Sequence, residues 1–113
     1  MKNIFLLCSI IFPFIVSGYS LSDSKFGTDS IQCVTNISLF REYVKQKNYD
    51  DALIHWRKAY ALCPSATKNI YIDGAKLYRH LISKNKAKIE LQKVYLDSLE
   101  LLYDNRIKFF GKE

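Results

Sequence analysis

Residues 36–64 read NISLFREYVKQKNYDDALIHWRKAYALCP, and the order of small and large side chains in this stretch decides the fold. Ala52, Trp56, Ala59 and Pro64 follow one another at intervals of four, three and five. Leu39, Phe40 and Tyr43 precede them across a turn that contains Asn48 and Tyr49. Spacings of three and four place side chains on one face of a helix, and a proline cannot continue a helix. The stretch therefore predicts two antiparallel helices that press small residues against large ones. Such a hairpin stacks against neighbours and holds partners without catalytic residues.

Working outward, the first helix is expected over Val34–Lys47, with Ile37, Phe40 and Val44 on one stripe and Leu39 and Tyr43 widening it. The second is expected over Tyr49–Leu62, with Asn48 as N-cap and Asp50 and Asp51 at its positive end. Ala52 and Ala59 let the helices approach, and Trp56 fills the groove beside them. After Pro64, Ser65 is placed to cap a third helix over Ala66–Ser83, with Ile70, Gly74, Leu77, Tyr78 and Leu81 inward. Glycine costs about 1 kcal/mol relative to alanine inside a helix, so Gly74 implies a neighbour crossing very near. A fourth helix is expected over Lys86–Lys108, apolar at Leu91, Tyr95, Leu99, Leu102 and Ile107, and stopped by Gly111. The expectation is all-α: four helices in two antiparallel hairpins.

The 113 residues hold one small domain. Residues 1–18 stand outside it. Lys2 supplies a positive start, Ile4–Val16 form an apolar run, and Val16-Ser17-Gly18 ends on small residues, the anatomy of a secretory signal peptide. The run is shorter than the roughly 20 residues that span a bilayer. An uncleaved anchor is the competing reading; a lipoprotein signal fits less well, because Cys8 lies behind bulky Leu6 and Leu7. Residues 19–32, polar and without apolar period, read as a flexible leader. Export to the periplasm, the outer membrane or the medium is the expected localisation.

Removing residues 1–18 removes Cys8 and leaves Cys33 and Cys63. An even count in an exported chain predicts a disulfide. Two antiparallel helices bring the start of the first and the end of the second together, which supports the pairing. In the chain-entropy view a loop of this length contributes about 3–4 kcal/mol. Two buried free thiols are the alternative.

The Asn36–Pro64 pattern resembles a tetratricopeptide repeat, whose unit of about 34 residues pairs two helices. Leu39, Phe40 and Tyr43 take the family's Leu, Gly and Tyr places, with Phe40 standing for the small residue and Asn36 for the usual Trp. Tyr49, Ala52, Trp56, Ala59 and Pro64 match the turn aromatic, the second helix and the terminal proline. A looser second copy begins at Thr67: Ile70 and Gly74 fit, Leu77 replaces the tyrosine, and about a dozen residues are inserted around Ser83–Val94. Leu99, Tyr103 and Gly111 then take its later places. The resemblance implies repeat 1 over 33–66 and a degenerate repeat 2 over 67–113. With its leader and paired cysteines, the chain resembles the start of longer exported bacterial repeat proteins. Solenoids need about three repeats, so either further repeats cover the last helix or that helix pairs with itself or a partner.

Chemical constellations are sparse. His55 and His80 lie on different expected helices without ligands at metal spacing, and His55 is expected to be exposed. Cys63 with His55 eight residues earlier has no third group to orient the base, and pairing with Cys33 explains it more simply; the acidic residues are scattered, and no glycine-rich phosphate loop occurs. Asn36-Ile37-Ser38 has the form of a glycosylation sequon within an expected helix. The expectation is a non-enzymatic chain with no cofactor and no metal.

In the resembling family the first helix of each repeat lines the concave face. Carried over, this implies Val34, Ile37, Arg41, Val44 and Lys45 from the first copy and Lys68, Tyr71, Ala75, Tyr78 and Arg79 from the second. Arg41, Lys45, Lys68, Tyr71, Tyr78 and Arg79 are the candidate contacts for a protein or peptide partner; arginine and tyrosine suit carboxylates and extended backbones. Ordinary core duty for Ile37, Val44 and Tyr78 is the competing reading. The formal charge of +6 and the lysines at 84, 86, 88 and 93 give a second reading, docking on anionic envelope lipid or polysaccharide. Nucleic acid is not an expected partner of an exported chain.

Overall fold

The computed structural model describes residues 26–112, so the expected signal peptide and the first half of the expected leader lie outside the described residues. Four helices follow in order: α1 (Ser30–Lys45), α2 (Tyr49–Leu62), α3 (Asn69–Lys84) and α4 (Ile89–Phe110). No strand occurs among the described residues. α1 packs on α2, α3 on α4, and α3 also touches both α2 and α1.

Helix α2 has the expected bounds, because strong signals stand at both ends. The turn before it is closed by Lys47 N–H donating to the Val44 carbonyl (3.0 Å) and Asn48 N–H donating to the Tyr43 carbonyl (2.9 Å). That is a Schellman closure, and it forces Lys47 into the left-handed region at φ 60°. Asn48 occupies the N-cap, but its amide donates to Asp51 Oδ2 (2.6 Å) rather than its oxygen receiving a backbone N–H.

The starts of α1, α3 and α4 differ from expectation by three or four residues, α4 beginning at Ile89 rather than Lys86, and their ends by one or two. Helix α1 begins at Ser30, inside the stretch expected as leader, because Asp29 Oδ1 accepts from Gln32 N–H at 3.2 Å. Asp29 and Gln32 have capping-box spacing, a signal legible in the chain. Just upstream, Gly27 lies against the end of α2: at φ +77° its missing Cβ would come within 2.7 Å of the Leu62 carbonyl oxygen. Helix α3 begins at Asn69 rather than Ala66, and Thr67, not Ser65, serves its start. Thr67 Oγ1 accepts from Asn69 N–H (3.2 Å), and the Thr67 carbonyl accepts from Ile70 N–H.

The core joins Phe40 and Val44 of α1, Ala52, Leu53, Trp56 and Ala59 of α2, Ile70, Tyr71, Ala75, Leu77 and Leu81 of α3, and Leu102 of α4. Trp56 is its hub at 1% exposure, its Nε1–H donating to the Ile70 carbonyl at 2.6 Å. Gly74 lies against the Nε1 side of that ring, where a Cβ would lie 2.6 Å from Trp56 Cζ2. The close crossing expected at Gly74 is therefore made by the indole of α2. Cys33 and Cys63 form a disulfide with Cα atoms 6.1 Å apart, and both residues are buried.

On α4 the expected inner row is only partly inside. Leu102 is fully buried and Leu91, Tyr95 and Leu99 are half-buried, but Ile107 is exposed. Aromatic rings supply much of the remaining contact. Tyr60 stacks on Trp56 and meets Tyr71 edge-on, Tyr71 meets Phe110, and Tyr78 bridges Trp56 to Tyr95. Asn105 on α4 donates to Tyr60 Oη on α2 at 2.6 Å, carrying the link across the bundle.

Candidate functional site

The surface where α1 lies beside α3 brings together charged groups from both hairpins. Arg41 on α1 places Nε 3.9 Å from Asp73 Oδ2 on α3, and Lys76, one turn further along, places Nζ 3.8 Å from Asp73 Oδ1. Asp73 is buried while both cations stay about half exposed, so the carboxylate forms the floor and the cations the rim. Burial raises the Asp73 pKa, with Lys76 and then Arg41 opposing it. Contacts of this length leave the guanidinium fork of Arg41 and the Lys76 ammonium with unused donors. Lys45 is exposed one turn beyond Arg41 on α1.

Arg79 is exposed on α3, and its Nη2 donates to Tyr103 Oη on α4 at 2.6 Å. Lys68 occupies the N-cap of α3 and is half-buried. Two of the expected contacts lie elsewhere. Tyr71 is 1% exposed and donates its hydroxyl to the Pro64 carbonyl at 2.6 Å, holding the turn between the hairpins, and burial pushes its pKa upward. Tyr78 is half-buried, edge-on to Trp56, and its pKa is likewise raised mainly by burial. Both tyrosines belong to the packing between α2, α3 and α4. Val44 and Ala75 are also buried, whereas Val34 is exposed and Ile37 half-buried along the α1 edge.

The sequence missed Asp73 and Lys76 as members of this surface. Their spacing of three on a helix was legible, but the approach of Arg41 across more than thirty positions was not. A second polar group also comes from folding. Asn36 is buried, its amide donates to the Gln32 carbonyl (2.8 Å), and its Oδ1 faces His55 Nδ1 (3.0 Å). The amide's orientation makes Nδ1 the protonated nitrogen of His55. His55, expected to be exposed, is half-buried and stacks on Tyr43 at 5.7 Å.

At the far end, Asp50 at the start of α2 receives Lys84 Nζ at 3.3 Å and lies 3.6 Å from His80 Nε2. The hydrogen bond and charge of Lys84 hold the Asp50 carboxyl below its usual range. Lys86, Lys88 and Lys93 are exposed along the α3–α4 turn and the start of α4. Among the described residues, no three His, Cys, Asp or Glu side chains cluster as a metal site, and no helix is long and apolar enough to cross a membrane. Comparison with models of protein families, with curated proteins and with solved structures gave no match.

Proposed function

We propose that this chain is an exported, non-enzymatic scaffold of the tetratricopeptide type that holds a protein or peptide partner against the α1/α3 surface. The observation that supports the reading is the approach of Arg41 on α1 to Asp73 on α3, the first helices of the two hairpins. Arg41, Lys45, Lys76 and Arg79 are exposed on those two helices, and Asp73 is a buried carboxylate between them. Such a face suits the carboxylates and backbone carbonyls of an extended segment, because cationic donors bind them by charge-assisted hydrogen bonds. The buried disulfide supports an oxidising location.

The test is recovery of partners from cell-envelope extract on the immobilised chain. One protein retained by the wild type and released by Arg41→Ala or Arg79→Ala is the expected outcome; recovery indifferent to both changes defeats the reading. A second reading rests on exposed Lys86, Lys88 and Lys93, which suit an anionic envelope surface. Charge reversal separates the two: retention that survives Arg41→Ala but is lost on Lys86→Glu with Lys88→Glu favours the lysine-rich turn.

A further inference from the structure

Helix α4 exposes a mixed stripe, apolar at Ile89, Leu96, Tyr103 and Ile107 and charged at Lys93 and Glu100, with the spacing of a coiled-coil seam. Ile89, Lys93, Leu96, Glu100, Tyr103 and Ile107 are spaced four, three, four, three and four, and all six are exposed in the folded chain. Ile89 and Leu96 are 74% and 52% exposed, so the described helices leave half or more of each residue uncovered. Alternation of three and four is the spacing at which one helix interlocks with another. Tyr103 is already fixed on the stripe, because Arg79 holds its hydroxyl.

We propose that this stripe pairs antiparallel with the same stripe of a second copy of the chain. The argument is charge complementarity. A two-fold axis passing near Ser98 sets Ile89 opposite Ile107 of the second copy, Lys93 opposite its Tyr103, and Leu96 opposite its Glu100. In that register Lys93 of each copy is a diagonal neighbour of Glu100 of the other, so the seam holds two Lys–Glu pairs. Parallel pairing sets lysine on lysine and glutamate on glutamate, which disfavours it. The interface is isologous, as two-fold dimers require. Glu90, Asp97 and Asp104 form a row on the outer edge that meets its own counterpart, and this like-charge row makes the dimer a weak one. Pairing covers Tyr103 and with it the Arg79 hydrogen bond, but leaves Arg41, Lys45 and Lys76 of the α1/α3 surface open and does not depend on what those three residues hold.

Sedimentation of the chain over a concentration series tests the proposal. A concentration-dependent dimer is expected, with Leu96→Lys weakening it by about tenfold or more. Lys93→Glu and Glu100→Lys are each expected to weaken it about tenfold, and the two changes together to restore it within about threefold. Val94→Lys and Leu101→Lys, which lie beyond the acidic row and outside the stripe, do not weaken the wild-type dimer. All these positions are exposed in the monomer, so helical content by circular dichroism stays constant across the set. A monomer at every concentration up to about 1 mM overturns the proposal. A dimer disrupted at Val94 or Leu101 but not at Leu96, or one that the paired charge swap fails to restore, overturns it as well.

Discussion

In the first hairpin a disulfide, Trp56 and the fully buried Ala52 and Ala59 lock α1 to α2, whereas in the second α4 buries only Leu102 completely along 22 residues. The first hairpin interlocks small residues with large ones, so its two backbones come close and side chains fill the gaps. The second relies on rings and hydroxyls that reach across: Tyr78 to Tyr95, Arg79 to Tyr103, Asn105 to Tyr60. Opening free energy follows buried apolar contact. Strength is therefore concentrated around the indole, and it falls off toward the last helix.

The comparison is broken most severely at Trp56. Trp56→Ala removes the hub and its bond to the Ile70 carbonyl, and chemical denaturation is expected to show a loss of about 3–5 kcal/mol. Replacing Cys33 and Cys63 together by serine is expected to cost about 3 kcal/mol in the same measurement. Hydrogen exchange then sharpens the contrast. The amides of α1 and α2 lose protection in that variant, while those of α4, already the first to open, change least.

Gly74→Ala forces a methyl against the Trp56 ring and is expected to cost roughly 1–3 kcal/mol. In a Trp56→Ala background the clash partner is gone, so a double-mutant cycle should return a coupling on the order of 1 kcal/mol or more. Additive losses would show that some other neighbour excludes the side chain.

Two smaller effects probe the ends and the rim. Lys47→Gly relieves a left-handed residue at the α1 terminus, and a gain of roughly 0.5–1 kcal/mol is expected in thermal unfolding. Asp73→Asn tests the buried carboxylate. Because burial raises its pKa, the folded state holds the proton more firmly than the unfolded chain, so its contribution worsens as pH rises through the folded pKa. The Asn variant should therefore compare better with wild type at pH 7 than at acid pH, by no more than about 1 kcal/mol. A variant that compares better at acid pH would assign Asp73 to a strong ion pair with Arg41 and Lys76.

Within the first hairpin most of the fold was legible before any coordinates. Ala52, Trp56 and Ala59 are all buried, α2 runs over the expected residues, and the paired cysteines are joined. Local chemistry fixes these features: a turn sequence, a proline stop and a period of three to four. The start of α1 was also written locally, in the spacing of Asp29 and Gln32, but the polar composition around it reads as leader. The candidate surface was half legible. Arg41, Lys45 and Arg79 are exposed, yet Tyr71 and Tyr78 face inward, since a large amphipathic ring fits a groove and a surface equally well in one dimension.

By itself the sequence determined the helical periods, the place of the turns and the pairing of Cys33 with Cys63, because each depends on residues near in the chain or on a count. Only the tertiary structure decided that the indole is the reason for Gly74, that Asp73 lies beneath Arg41, and that Ile89 and Leu96 stay exposed among the described residues. Those outcomes depend on how far one helix turns about its axis when it meets another, and that angle is set by the packing of many side chains at once rather than by any local spacing.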